Sequence, residues 1–358
     1  MLDMVDCEAE PANLPRVSII VRTKDRPLFL SRALQDIAKQ KFRDFSVVII
    51  NDGGSVKRVE QIVGEEGERL PTRPDVFTNR TSIGRGRAWQ QGFEATNSQF
   101  FVVHDDDDTW DEEFLGKTVS YLERNPDCTA VATRLEVVVE SIEENKIVEQ
   151  SRWIYHPEQS VISVANLLRA NTTVPIATLY RRSAVNNLSD PEVNLDVVED
   201  WYLNLQLACT GTFGFIDGKP LAFWHQRPTD GSSDTGNSVF LLDQCHQQND
   251  AEVRDKALRE YIANHGTGLP LLIGKGTEEL ATRLDLANQS LSALQAEQHN
   301  ILVEHREIKA ELVRISGRLA GLESMLTDRL VMRIFRTIKS LLKTSFSVRK
   351  PRRTGNSS

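Results

Sequence analysis

Four consecutive aspartates, Asp105 to Asp108, directly follow the apolar run Phe100 to Val103. An apolar, β-rich run that ends in clustered carboxylates predicts a buried strand that carries oxygen ligands at its carboxyl end. Two carboxylates about 4 Å apart repel by roughly 4 kcal/mol at an effective dielectric constant of about 20, so a rigid cluster favours a bound cation. Hard oxygen ligands select Mg2+ or Mn2+, which complete their coordination shells with water and substrate phosphates. A solvated acidic turn is the alternative interpretation.

Two earlier segments place further polar side chains where strands end. Val17 to Val21 and Phe45 to Ile50 have the composition of strands, and the segment between them has the apolar spacing of a helix. A strand–helix–strand unit binds ligands beyond the carboxyl ends of its strands. Thr23, Asp25 and Asp52 are expected at that edge, where the Asp52 carboxylate can accept from a base N–H or a ribose hydroxyl. The polar stretch around Asp52 is also compatible with an ordinary turn.

Five motifs occur in an order that resembles the family 2 glycosyltransferases, which have the GT-A fold. They are Thr23-Lys24-Asp25-Arg26, Asn51-Asp52-Gly53-Gly54-Ser55, the Gly-rich helix start Gly84 to Gly92, Asp105 to Asp108 with Trp110 and Leu115, and Glu199-Asp200-Trp201. The resemblance extends from about Pro15 to about Ser233. It implies an α/β fold with a GT-A-like nucleotide-binding mixed sheet flanked by helices.

The resemblance also implies roles for individual residues in an inverting transfer from a nucleotide-sugar donor. Asp107 is implied as the direct ligand of Mn2+ or Mg2+ on the donor diphosphate, with Asp105 and His225 as further metal ligands. Asp200, with Glu199 beside it, is implied as the general base that deprotonates the acceptor hydroxyl. The residues implied in nucleotide binding are Thr23, Asp25, Asp52, Arg85, Arg87, Asp105 and Asp106.

Three of these side chains have ordinary structural interpretations as well. Glu199 and Asp200 precede an apolar helix pattern, and acidic residues in a first helical turn interact favourably with the helix dipole. His225 lies among aromatic residues, where a histidine with purely structural partners is equally compatible with the sequence. Local sequence therefore leaves both interpretations open for all three.

Two further positions bear on donor and acceptor contacts. Trp89 and Gln90 replace the Arg and Asn that are usual in the family, so a donor contact from this helix would pass to one of the two arginines just before it. In the family, the region that corresponds to residues 129–182 binds the acceptor. Trp153 and Tyr155 in that region suit the apolar faces of sugars, but they are equally compatible with ordinary core or edge positions.

Composition agrees with an intracellular enzyme of about two domains. The chain has 358 residues, 40% of them hydrophobic, and a formal net charge of −8, and about 150 residues per domain is typical. No apolar stretch approaches the roughly 18 residues of a membrane span, and the first 15 residues do not have the pattern of a signal peptide. The cysteines lack the spacing of metal ligands and suit reduced thiols. They are Cys7, Cys128, Cys209 and Cys245.

A heptad pattern occupies the segment from Leu280 to Leu326. Core-type residues alternate there at spacings of four and three, with Gln298 and His305 as the polar core positions. At 1.5 Å per residue the segment would be about 70 Å long. The pattern predicts a coiled coil and a homo-oligomer. The alternative is a solitary amphipathic helix that packs on the rest of the chain.

The last segment is basic. Residues 328–358 contain nine Lys or Arg and one acidic residue, a balance of +8, so the net charge of −8 leaves −16 for the rest of the chain. Between residues 328 and 350 the apolar and basic side chains segregate to opposite sides of a helical wheel. This pattern predicts an interfacial helix on an anionic membrane surface. The acidic main body and the lack of stacking aromatics in the tail argue against a nucleic-acid partner.

The sequence thus predicts five segments. They are an N-terminal extension (1–14), a GT-A glycosyltransferase domain (15–265, with a nucleotide-sugar half 15–128 and an acceptor half 129–265), a linker (266–279), a coiled coil (280–327) and a basic amphipathic tail (328–358). We expect an inverting, metal-dependent hexosyltransferase on the inner face of a bacterial cytoplasmic membrane. Its acceptor would be a glycan or a lipid-linked acceptor in cell-surface polysaccharide biosynthesis. The alternatives are a non-catalytic, membrane-associated assembly protein with a degenerate GT-A domain and, less favoured, a nucleotidyltransferase.

Overall fold

A computed structural model describes residues 14–144, 146–188, 198–227 and 243–346, without the side chains of residues 243–246 and 344–346. The chain divides into two compact units, Met1–Glu260 and Tyr261–Ser358. The strands are β1 (Val17–Thr23), β2 (Phe45–Asp52), β3 (Asp75–Asn79), β4 (Phe100–Asp105), β5 (Thr109–Trp110), β6 (Cys128–Thr133), β7 (Leu135–Glu143), β8 (Lys146–Ile154), β9 (Thr178–Arg181), β10 (Thr212–Ile216) and β11 (Ala222–Gln226). The helices are α1 (Pro27–Ile37), α2 (Val56–Glu66), α3 (Arg85–Glu94), α4 (Phe114–Arg124), α5 (Val164–Arg169), α6 (Arg182–Asn186), α7 (Glu199–Thr210), α8 (Asp243–His265) and α9 (Gly268–Phe346), with short 3-10 turns at Gly67–Arg69 and Pro175–Ala177.

A seven-stranded mixed sheet forms the centre of the first unit. Its strand order is β10-β6-β9-β4-β1-β2-β3. Strands β4, β1, β2 and β3 run parallel, and β9 is antiparallel to both of its neighbours. The predicted strand–helix–strand unit is present as β1, α1 and β2. The predicted α/β class, a mixed sheet flanked by helices, is confirmed.

Alternating side chains of the central strand divide the apolar core between the two faces of this sheet. Val17, Ile19 and Val21 of β1 belong to one buried cluster, which also contains apolar residues of α1, α2 and α4. Ile20 belongs to the other cluster, with residues of α3 and α7. Because residues that alternate along a strand point to opposite faces, both faces of the sheet are covered and β1 is a nearly continuous apolar run.

A second sheet of four strands, ordered β5-β11-β7-β8, lies in the same unit. Strands β11 and β7 run parallel, while β5 and β8 are antiparallel to their neighbours. Strand β5 follows the end of β4 within four residues, so this sheet starts where the chain leaves β4. The sheet therefore brings β7 and β11 toward the strand ends of the larger sheet.

The second unit is dominated by α9, which has 79 residues. The structure differs here from the predicted linker at 266–279, because only Gly266 and Thr267 separate α8 from α9. Pro270 lies in the first turn of α9, where its missing N–H costs nothing, and the glycines that follow cost about 1 kcal/mol each without ending the helix. Within the described part of the chain, no helix is long and apolar enough to cross a membrane.

Candidate active site at the strand ends

The carboxyl ends of β1 and β4 bring together the first group of predicted site residues. The parallel register pairs Arg22 with Asp105, so the two strands end side by side. The Thr23 hydroxyl donates to Oδ2 of Asp106 at 2.7 Å. Asp106, Asp107 and Asp108 are each at most 5% exposed. The aspartate cluster is therefore a buried, fixed set of carboxylates and not a solvated turn.

Two arginines neutralise Asp105. Arg22 Nε donates to Oδ1 at 2.8 Å, and Arg85 Nη2 donates to Oδ2 at 2.6 Å. Burial acts to raise the pKa of Asp105, but the two guanidinium groups outweigh it and hold that pKa well below its usual range. The lowered pKa favours the ionised form of Asp105. Arg85 reaches it from the start of α3, and Trp89 of the same helix is buried in the core.

The next two carboxylates share a third arginine. Nη1 of Arg26 lies 3.3 Å from Asp106 and 3.1 Å from Asp107, and Arg227 forms a second ion pair with Asp107. Burial, assisted by the neighbouring Asp107, raises the pKa of Asp106 to about 7. Burial likewise raises the pKa of Asp108, which accepts the backbone N–H of His225 at 2.9 Å. The pKa of Asp105 is thus lowered, whereas those of Asp106 and Asp108 are raised, because their surroundings differ.

Glu140 of β7 is the centre of a second charge network, which shares Arg227 with the first. Its carboxylate accepts hydrogen bonds from Arg32 at 2.8 Å and from Arg227, which also contacts Asp107. Burial acts to raise the pKa of Glu140, but its partners lower it to about 2. His225 Nδ1 lies 2.8 Å from the Glu140 carboxylate. Glu140 therefore holds the arginine that in turn holds Asp107.

The environment of His225 defines the orientation of its ring. Because Glu140 is ionised, Nδ1 carries the proton, and Nε2 lies 2.8 Å from the Thr109 hydroxyl. Burial lowers the pKa of His225, which favours the neutral ring. Both ring nitrogens thus have protein partners in this structure, which is the arrangement of the structural alternative given above.

Glu199 and Asp200 lie at the start of α7 and have different partners. Glu199 accepts from Nη1 of Arg22 at 3.0 Å, so one guanidinium joins it to Asp105. Asp200 accepts from Nδ2 of Asn171 at 2.8 Å. Burial, reinforced by the neighbouring Glu199, raises the pKa of Asp200 to about 6. A carboxylate that titrates near neutral pH and lies beside the aspartate cluster has the properties of a general base.

Two predicted nucleotide-binding residues, Asp52 at the end of β2 and Asp25 just after β1, have structural partners. Asp52 accepts from the Ser82 hydroxyl at 2.6 Å and from the backbone N–H groups of Ile83 and Gly84 at 2.8 and 3.1 Å. Burial acts to raise the pKa of Asp52, but these hydrogen bonds outweigh it and lower that pKa. Asp25 accepts from the backbone N–H of Ser55 at 2.9 Å. Both carboxylates thus fix the loops that surround the strand ends.

Backbone conformation at this edge explains the glycine in the second motif. Gly53 has a φ of +90°, and a Cβ atom there would lie 2.8 Å from the backbone nitrogen of Ser82. Val198 has a φ of +62°, which is unusual for a β-branched residue, and it directly precedes Glu199. Such strain clusters at functional sites, where it fixes the direction of the chain.

Three other predicted residues differ in their exposure. Arg87 is exposed on α3. Trp153 is 47% exposed on the edge strand β8, whereas Tyr155 packs its ring against Trp224 and donates to the backbone of Asn171 at 3.1 Å. Because Asn171 also donates to Asp200, Tyr155 borders the candidate base.

The donor set fits a metal ion that shares its coordination shell with a substrate. Within the described ranges, no three His, Cys, Asp or Glu side chains converge as a complete metal cage. Mg2+ commonly uses only one or two carboxylates together with substrate phosphates. Asp105 and Asp107 provide such carboxylates, and in this structure guanidinium groups supply the positive charge that the sequence assigned to a metal. The arginines would have to exchange partners when an ion binds.

Five charged residues of this site received no role from the sequence. They are Arg22, Arg26, Arg32, Glu140 and Arg227. Arg22 and Glu140 had a detectable signal, since each is a charged residue inside an apolar strand run. Arg227 had none, because its partner Asp107 is 120 residues earlier in the chain.

Comparison with known proteins identifies the family of this domain. Residues 18–189 match the family model described as glycosyl transferase family 2. An uncharacterized glycosyltransferase of Haemophilus influenzae is 27% identical over 128 residues, which are 36% of this chain and 39% of that protein. An uncharacterized protein of Mycobacterium tuberculosis is 23% identical over 222 residues, 60% of this chain and 62% of that protein. The chain thus spans between about two fifths and three fifths of these relatives.

Two further similar proteins carry more specific names. A Campylobacter jejuni protein named GalNAc(5)-diNAcBac-PP-undecaprenol beta-1,3-glucosyltransferase is 28% identical over 98 residues, 26% of this chain and 30% of that protein. The crystal structure of Staphylococcus aureus TarS 1-349 in complex with UDP-GlcNAc has a TM-score of 0.48 and 18% identity, and the match covers 71% of this chain and 75% of that one.

Residues 18–189 carry most of the mixed sheet and the acidic cluster at its strand ends, and this part of the chain matches the glycosyltransferase family model. The similarity to glycosyl transferase family 2 thus extends over residues 18–189, a little under half of the chain. The family resemblance inferred from the five motifs is therefore confirmed.

Proposed function

We propose that this protein is an inverting, metal-dependent glycosyltransferase that moves a hexose from a nucleoside-diphosphate sugar to a glycan or lipid-linked acceptor. The observation that carries the proposal is the juxtaposition, through Arg22, of the aspartate cluster with Glu199 and the adjacent Asp200. One side of the site offers carboxylates and guanidinium groups to a metal diphosphate. The other side offers the carboxylate of Asp200, whose pKa burial raises to about 6.

Charged side chains of this chain would bind the metal ion and the diphosphate of the donor. Asp107, with Asp105, would hold Mn2+ or Mg2+, which supplies charge neutralisation of the departing diphosphate. Arg26 and Arg227, which contact Asp107 in the present structure, are placed to donate to phosphate oxygens. Arg85 and Thr23 border the same position. Glu140, which contacts both His225 and Arg227, fixes the position of Arg227. His225 would join the metal shell only by leaving its present partners.

The acceptor side supplies the base. Asp200 removes the proton of the acceptor hydroxyl while that oxygen attacks the anomeric carbon on the face opposite the diphosphate, so the anomeric centre inverts. Asn171 orients the Asp200 carboxylate through the 2.8 Å hydrogen bond. Glu199 keeps Asp200 close to the cluster through its ion pair with Arg22.

The cellular setting belongs to the same proposal. Residues 328–346, which continue α9, carry five basic side chains and one acidic side chain, and the described apolar residues among them are more than half exposed. Such a helix suits the anionic inner face of a bacterial cytoplasmic membrane, where lipid-linked acceptors of cell-surface polysaccharides occur. Residues 347–358, which contain the other four basic side chains of the predicted tail, lie outside the described residues.

Titration calorimetry and donor turnover test the enzymatic proposal. We expect the full chain to bind at least one nucleoside diphosphate from a panel in the presence of Mn2+ and to hydrolyse the matching nucleotide sugar slowly. Asp107→Asn should lower the metal-dependent affinity by about tenfold or more, because a ligand of the ion is lost. Asp75→Asn, the same chemical change at an exposed position of β3, should change nothing. Failure of the unaltered chain to bind any diphosphate would favour a non-catalytic assembly protein.

A further inference from the structure

Helix α9 presents a long apolar stripe to solvent, interrupted at Gln298 and His305. Its leucines and isoleucines at the heptad core positions are between 44 and 66% exposed. They are Leu280, Leu284, Leu291, Leu294, Ile301, Ile308, Leu312, Ile315, Leu319, Leu322 and Leu326. An exposed apolar stripe of about 70 Å indicates an interaction surface.

The spacing of this stripe assigns each residue to a heptad position. Gaps of three run from a to d and gaps of four from d to a, which puts Leu284, Leu291, Leu312, Leu319 and Leu326 at position a. Ile301, Ile308 and Ile315 then occupy position d, together with Leu280, Ala287, Leu294 and Leu322. Leu at a combined with Ile at d, as found between residues 308 and 319, favours bundles of three or four helices over dimers.

The flanking positions favour one relative orientation of the helices. In a parallel, in-register coiled coil, each g residue faces the e residue five positions later on a neighbouring helix. Glu304 then faces Lys309, and Arg318 faces Glu323, so both charged pairs attract. The remaining g–e′ combinations from 283 to 316 each include at least one uncharged residue, so none repels. This charge pattern fits a second copy of the same chain.

Two neighbouring a positions add a register constraint. Gln298 and His305 are polar, and polar a residues are best accommodated when they meet identical residues in one layer. A parallel, in-register arrangement places each of them opposite its own copies. An antiparallel arrangement about the midpoint of residues 280–326 would instead place Gln298 and His305 at the levels of Ile308 and Ile301 of the neighbouring helix.

We propose that residues 280–326 form a parallel, in-register bundle of at least three copies of this chain. The proposal does not depend on the glycosyltransferase activity, since it uses only α9. It has one further consequence: the basic segments that follow residue 327 in all copies emerge at the same end of the bundle.

Two neighbouring substitutions in the 358-residue chain test whether copies associate through the heptad core of residues 280–326. Leu312 and Val313 are both apolar and are 61 and 66% exposed in the single chain, but only Leu312 is a core position of the heptad. By sedimentation or light scattering the unaltered protein should have at least three times the 40.4 kDa mass of one chain. Leu312→Glu should reduce this mass, whereas Val313→Glu should retain it. A mass of one or two chains for the unaltered protein, or equal masses for the two variants, would overturn the proposal.

Cross-linking tests whether the helices run parallel, in variants that retain every Leu and Ile of the heptad core. Ala287→Cys places a thiol at a d position near one end of the bundle, and Ala296→Cys places one at the outward f position. With a short bis-maleimide, Ala287→Cys should give far more covalent dimer than the unaltered chain, and Ala296→Cys should match the unaltered chain. In an antiparallel bundle the thiols introduced by Ala287→Cys would lie about 50 Å apart on neighbouring antiparallel helices, at 1.5 Å per residue. Equal cross-linking in all three proteins would therefore contradict the parallel arrangement.

Discussion

At the scale of single residues, the site is defined by which guanidinium group neutralises which carboxylate. Asp105 is paired with two arginines and stays ionised, whereas burial keeps the pKa of Asp106 at about 7. These ion pairs are buried away from water. Replacing one partner is therefore costly, because it leaves an unpaired buried charge. Substitutions of the arginines would therefore perturb folding as well as binding, and the carboxylate substitutions are the cleaner tests of chemistry.

Asp200→Asn isolates the proposed base. The amide keeps the size of the side chain and cannot accept a proton, so we expect a fall in kcat of about 100-fold or more with little change in donor affinity. Turnover assays with a competent donor and acceptor, together with calorimetry of donor binding, measure both quantities. Turnover within a few-fold of the unaltered enzyme would show that another group removes the proton.

The pH profile gives a second measure of the same role. Because the raised pKa of Asp200 is about 6, the base is protonated below that pH, and kcat/KM should fall as the pH drops through about 6. The Asn171 hydrogen bond lowers the pKa of Asp200 from the value that burial alone would give. Asn171→Ala should therefore move the acidic limb of the profile to higher pH, a shift that mere loss of rigidity would not cause.

At the scale of secondary-structure elements, the contact between α3 and β1 tolerates no added atom. A Cβ on Gly92 would lie 2.4 Å from Cγ2 of Ile20, which is fully buried. Gly92→Ala should therefore lower the free energy of unfolding by about 1–3 kcal/mol through overpacking. Gly64 occupies the same place near the end of α2 but has no neighbour within 4 Å, so Gly64→Ala should raise stability by up to about 1 kcal/mol.

Urea unfolding followed by tryptophan fluorescence separates the two variants. All five tryptophans lie before residue 261, so the signal reports on the first unit alone. A stabilising effect of Gly92→Ala would mean that α3 can move away from β1. Such movement would matter for the site, because α3 carries Arg85.

Local elements of the fold could be predicted from the sequence, whereas charge pairs between distant elements could not. β1, α1 and β2 could be predicted, because apolar periodicity and strand ends are local properties of the chain. The role of Glu140 could not be predicted, since its partners Arg32 and Arg227 come from α1 and from the residue after β11. Residues 268–279 of the predicted linker are helical, because isolated glycines in a long helix are tolerated when many other residues favour helix. Pairings between distant residues leave no local pattern.

At the scale of the whole molecule, membrane attachment is a separable prediction. A chain that ends at Thr327 should lose binding to anionic vesicles that the full chain retains, because each basic residue near such a surface contributes about 1 kcal/mol. Co-sedimentation with anionic and with neutral vesicles measures the difference, and added salt should weaken the binding. As a matched control, Arg333, Arg336 and Lys339 replaced together by Gln should reduce binding while leaving the apolar face intact. Equal sedimentation of the full and shortened chains would assign the tail to another partner.

The wide sequence separation of the charges around Asp107 has a consequence for how the protein is made. Arg227 follows Asp107 by 120 residues, and Glu199 follows Arg22 by 177. During synthesis the acidic cluster leaves the ribosome well before Arg227, the second ion-pair partner of Asp107. Contacts of such high sequence separation form late and slow the folding of a domain. The nascent chain therefore carries an incompletely compensated acidic edge until the strand β11 and the residue after it have emerged, and the site becomes complete only in the last stage of folding.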